Sequence, residues 1–116
     1  MADEIEEINA YYNATLVVTL TFSVDGVAVD LSSKTIYFMV KRNLNDADNA
    51  ALISETILPA DIYDADGGIH VLAINRSKCK ILGLTWAGCK TVDDQNNAVV
   101  YPNFRINFLP AVNQEA

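Results

Sequence analysis

His70, Cys79 and Cys89 are the side chains of this sequence best suited to nucleophilic or metal chemistry. A thiolate activated by an imidazole needs both groups within hydrogen-bond reach and a third group to orient the base. One histidine and two cysteines ten residues apart, with no second His or Cys at ligand spacing, offer no such set and no transition-metal site. The two thiols read as buried and reduced, because two cysteines alone are no disulfide framework. Asp64-Ala65-Asp66-Gly67 has the opening of a calcium loop. Such a loop also needs an oxygen ligand at its fifth position and an acid at its twelfth, where this chain has Gly68 and Asn75. The segment therefore reads as a turn, as do Asp46 and Asp48 and the pair Asp93-Asp94. No nucleophile elbow, phosphate-binding loop or dinucleotide fingerprint occurs. The expectation is a chain without catalytic residues, metal or cofactor.

The elements around these residues are strands. Ala14, Leu16, Val18, Leu20, Phe22 and Val24 alternate with mostly Thr and Ser, a period of two that marks a strand with one buried and one wet face. Asp25-Gly26 then suits the positive φ angles of a tight hairpin. Ile36, Phe38 and Val40 share one face of a second strand, with Tyr37, Met39 and Lys41 on the other. Further strands are expected over residues 51–57, 69–74, 85–92, 98–101 and 103–109, separated by turns rich in Asp, Asn and Gly. Cys79, Ile81 and Leu82 suggest one short helical turn, closed by Gly83. Trp86, the only tryptophan, is expected in the core or between sheets.

Seven to eight short strands favour an all-β, antiparallel, two-sheet sandwich of immunoglobulin-like shape, with a small closed barrel as the alternative. Residues 14–110 would form this single domain, 1–13 an acidic N-terminal arm and 111–116 a tail. At 116 residues with 51% hydrophobic composition, the chain can bury a core without metal or disulfide support.

The net charge is −7, and four of the fifteen acids are Asp3, Glu4, Glu6 and Glu7. The eight basic residues are scattered. No basic stripe is present to displace counterions from a phosphate backbone, so no nucleic-acid partner is expected. No apolar run approaches the ~20 residues of a membrane span, and the acidic start is unlike a signal peptide.

The order of segments carries a resemblance. LTFSVDGVAVDLSSKTIYFMVKR is followed by a polar loop, ALISETI, IYDADGGIHVLAI, a turn and a Trp strand, and VDDQNNAVVYPNFRINFLP. Over residues 14–110 this resembles small β-sandwich domains of tailed bacteriophages, found at the N-terminus of baseplate upper proteins and in related tail and virion proteins. The chain departs from that pattern at Thr85, where glycine would stand, and at Asn96-Asn97, which replaces an Asp-x-x-Gly turn. The resemblance implies a structural virion component assembled in the host cytoplasm. It would be a tail or baseplate adaptor in multiple copies, or else a capsid cement protein. Its partners would be other virion proteins and copies of itself, with no small-molecule ligand. A glycan- or host-surface-binding sandwich is the alternative of another class.

Ile5, Ile8, Tyr11, Tyr12, Tyr37 and Met39 are the candidate interface residues. The first four are apolar or aromatic side chains ahead of the expected core, in an arm where the spacing of Ile5 and Ile8 suits a helical turn. Tyr37 and Met39 make the second face of their strand half apolar.

Overall fold

A computed structural model describes residues 7–112 of the chain. Ten strands follow one another: β1 (Glu7–Tyr11), β2 (Leu16–Thr21), β3 (Ser23–Val24), β4 (Val27–Ala28), β5 (Lys34–Lys41), β6 (Ile53–Ile57), β7 (Ile69–Ile74), β8 (Gly83–Asp93), β9 (Ala98–Val100) and β10 (Phe104–Leu109). Single 3-10 turns cover Asp48–Ala50, Pro59–Asp61 and Arg76–Lys78. The last lies just ahead of the helical turn expected over Cys79, Ile81 and Leu82: those residues are not helical, and Gly83 opens β8 instead of closing a turn. The Asn75 side chain caps the Arg76–Lys78 turn by accepting from the Ser77 amide.

The larger layer runs β1-β10-β8-β5-β6, with β9 also against β8; the smaller pairs β2 with β7, and β3 and β4 make a separate ribbon. Strand β8 is central. Its residues 86–93 pair with β5 on one flank. The other flank is shared by β10, opposite residues 83–87, and β9, opposite residues 90–92. The partner line breaks at Tyr101-Pro102-Asn103, where proline has no amide to give a ladder. Tyr101 still donates its amide to the Cys89 carbonyl, and its ring meets Phe22 edge-on at 4.8 Å.

Alternation decides what lies between the layers. Leu16, Val18 and Leu20 of β2 and Leu72 and Ile74 of β7 face Ile36, Phe38 and Val40 of β5, Ala87 and Cys89 of β8, and Ile106 and Phe108 of β10. Thr85 and Thr91 are buried with them, and the Thr85 hydroxyl donates to the Ile106 carbonyl at 2.8 Å. That bond satisfies the hydroxyl and ties two strands through a side chain.

Four further expectations need correction. The long alternating strand of residues 14–24 is broken at Phe22, whose buried ring and amide bond to Gly68 hold it in the core. Val24, expected inside, is exposed on the ribbon. Residues 7–11, assigned to the arm, form a strand parallel to β10 in register Glu7↔Arg105 to Tyr11↔Leu109, rather than a helical turn. Backbone pairing along the otherwise open edge of β10 outweighs the weak helical spacing. Trp86 is on the outer face of the larger sheet, not in the core, because it shares its side of β8 with Lys90.

The Asp25-Gly26 hairpin is as expected, with both residues at positive φ. Gly68 has a stricter need. Its φ is +69°, and a Cβ there would sit 2.6 Å from the Phe22 carbonyl oxygen and 2.8 Å from that of Val29. Gly26, at φ +79°, has nothing within 4 Å. Gly26→Ala should therefore cost only the left-handed backbone term, about 1 kcal/mol. Gly68→Ala adds steric conflict with two carbonyls and should cost roughly 3 kcal/mol or more in urea unfolding.

Candidate functional site

The outward half of the β5-β8 alternation builds the most distinctive surface among the described residues. Strand register sets it out in three rows. Thr56, Tyr37, Lys90 and Val100 form the first. Ser54, Met39 and Gly88 form the second. Lys41, Trp86, Arg105 and Glu7 form the third. Gly88 has no side chain at the centre, and the Asn103 side chain folds over it, within 2.8 Å of where a Cβ would stand. The taller neighbours enclose a groove of about 480 Å³. Its walls include Tyr37, Met39, Trp86, Lys90 and Val100, and the last of these is 73% exposed.

Cations organise the rim. The Arg105 guanidinium lies 3.8 Å from the centre of the Trp86 ring, and its Nε donates to the Thr85 carbonyl at 3.0 Å. One indole face is thus covered by a stacked, anchored cation. Lys90 Nζ is 5.6 Å from the centre of the Tyr37 ring. Lys41 Nζ reaches Asp48 Oδ1 at 2.7 Å and the Asp46 carbonyl at 2.9 Å, which draws the 42–50 loop and exposed Leu44 to the groove. The bond from Lys41 holds the Asp48 carboxyl below its ordinary pKa.

Tyr37 and Met39 lie side by side in this groove. Tyr11, 54% exposed, points to the same side of the sheet but opposite Leu109, away from it. Tyr12 is half-buried and donates its amide to the Leu109 carbonyl. Ile8 packs against the core between the layers, which removes it from the exposed candidates. Ile5 lies outside the described residues. The structure thus brings together two of the six candidates, with Trp86, Lys90 and Val100 added. Lys90, four residues after Trp86 in one strand, was the signal for that face, since a solvated ammonium shares its side with the indole.

The chemically capable residues do not converge. Among the described residues no three His, Cys, Asp or Glu side chains are placed to hold a metal. Cys79 and Cys89 are both buried free thiols. Burial raises both, and pushes Cys89 up to about 12. A thiol so held is no nucleophile at neutral pH.

His70 is 7% exposed, and its Nδ1 accepts the Tyr63 amide at 3.2 Å, so the neutral ring carries its proton on Nε2. Burial lowers its pKa from the ordinary 6.5, against an opposing pull from Asp61.

No protein-family model matches the chain, and no curated protein matches it. Solved structures do. The N-terminal domain of phage TP901-1 ORF48 superposes with TM-score 0.58 at 9% identity, covering 91% of this chain and 85% of that one. The NK cell receptor NKp44 gives TM-score 0.53 at 13% identity, covering 94% of this chain and 100% of that one. A fibronectin(III)-like module of Clostridium thermocellum CbhA gives TM-score 0.50 at 16% identity, covering 95% and 94%. The chain is an immunoglobulin-like β-sandwich. At these identities the likeness is one of fold.

Two measurements follow. Cys89 in the native protein should resist iodoacetamide at pH 8 and react at an ordinary thiol rate once unfolded, read by mass spectrometry. His70 makes stability fall as pH drops below about 6.5, because the unfolded chain binds a proton that the folded ring refuses. In urea unfolding from pH 7.5 to 5.5, His70→Gln should flatten that decline.

Proposed function

We propose that this chain is a structural component of a tailed-bacteriophage virion, assembled in several copies as an adaptor at the tail or baseplate periphery. The outer face of the larger sheet would be its docking surface. The carrying observation is that face: Tyr37, Met39, Trp86 and Val100 surround a groove that no part of the described chain covers. Aromatic and Met side chains with a flanking Arg, few charges at the centre and charges at the rim are the composition of protein-protein contact surfaces. The likeness to a phage domain over 91% of the chain supports the particle as the setting. Capsid cement is the same chemistry at another place on the particle.

A binding module for glycans or host-surface proteins is the second reading, favoured by Trp86 in a groove of about 480 Å³. A sugar would need a free indole face, and Arg105 occupies one. The protein-docking reading therefore has the better fit.

Tyr37→Asp with Met39→Asp places two carboxylates in the groove and should leave the buried core, and hence the unfolding midpoint, nearly unchanged. Copies per particle, counted by quantitative mass spectrometry of purified virions, should fall at least about tenfold, the equivalent of about 1.4 kcal/mol of docking energy. Unchanged incorporation would move the docking surface elsewhere. Wild-type protein absent from particles, with glycan binding by the isolated chain, would replace the virion reading with the second one.

A further inference from the structure

We propose that the open edge of β2 is a self-association site, at which two copies of this chain join β2 to β2, antiparallel about a two-fold axis. The pairing would fuse two two-stranded sheets into one of four strands, and it stands whether or not the chain belongs to a virion.

Strand β2 pairs with β7 on one flank only, and among the described residues no backbone hydrogen bond joins it to β1 or β10. The layers part along this edge in a cleft of about 540 Å³ lined by Ile8, Tyr101, Phe104 and the length of β2. Unpaired strand edges attract other strands, and proteins guard them with lysine, proline, bulges or a covering segment. Strand β2, LVVTLT, has none of these guards. Residues 13–24 contain no charged side chain.

The edges of β1, β6 and β7 are guarded. Strand β1 begins at Glu7, and Asp3, Glu4 and Glu6 precede it in sequence. Strand β6 carries Glu55, bonded to Lys78 at 2.6 Å. The far side of β7 is met by the 61–65 segment, through the Tyr63 amide on His70 and the Asp64↔Ile69 bridge.

Charge selects a second copy as the occupant. The chain has net charge −7, so contact between like copies costs least where neither brings charge, and residues 13–24 bring none. The exposed face beside this edge is uncharged as well: Val17 stands next to Ala73, Thr19 next to Val71 and Thr21 next to Ile69. Val17 is 60% exposed. Identical strands joined about a two-fold make an isologous contact. Centred on Thr19, that contact sets Val17 against Thr21 of the second copy, both good strand formers.

Sedimentation velocity on the full chain tests this, with hydrogen exchange at low and high concentration. The wild type should dimerise at about 10–100 μM, a common range for a modest interface. Thr19→Lys sets two ammonium groups against each other across the axis and should raise the dissociation constant at least tenfold with the unfolding midpoint kept. Tyr37→Asp with Met39→Asp, on the other sheet, should leave dimerisation unchanged. In the wild type, the β2 amides directed at the open edge should gain protection as concentration rises, which needs no folded variant. A chain that stays monomeric, a dimer that survives Thr19→Lys, or a dimer without protected β2 amides would each overturn the proposal.

Discussion

The larger sheet is registered against β8. Its eleven residues carry β5 along one flank and β10 and β9 in succession along the other, so a slip of one residue would exchange its faces. Thr85, Ala87, Cys89 and Thr91 would then leave the core, and Trp86 and Lys90 would enter it. The buried Thr85 hydroxyl on the Ile106 carbonyl and the backbone bond from Tyr101 to Cys89 fix that register from the β10 side. Small inward side chains on β8 leave room for Phe38 and Phe108, which are almost wholly buried. The core and the outer groove are two faces of one constraint.

That constraint also explains why the candidate surface is rigid. Tyr37 and Met39 sit on β5, held between β6 and β8, and Trp86 sits in β8 itself. Their backbone is paired on both sides. The stacked Arg105 and the Lys41-Asp48 contact hold the surrounding side chains and loop. A surface so held loses little side-chain freedom on docking, which favours affinity without a larger area.

The groove and the β2 edge lie on opposite layers, and they differ in chemistry. The groove offers aromatic rings and cations in an otherwise acidic protein. The edge offers backbone donors and acceptors among uncharged side chains. Under the two proposals, the first surface would take a foreign partner and the second another copy of the chain.

The period-two alternation determined the all-β class, the inward sides of β2 and β5, and the Asp25-Gly26 turn, because strand patterning and turn angles are local properties. Two side chains of the groove, Tyr37 and Met39, were legible as the apolar half of an outer face for the same reason. Other features were decided only by the tertiary structure. The parallel pairing of residues 7–11 with β10 joins the two ends of the chain, and no local pattern records such a long-range partner. The break at Phe22 comes from packing against Tyr101 and bonding to Gly68, both far away in sequence. Trp86 reads alone as a core residue, and it becomes a groove wall only once Arg105 and Lys41 arrive beside it from neighbouring strands. The open edge of β2 is likewise invisible in its own residues, since an edge is defined by the strand that does not pair with it.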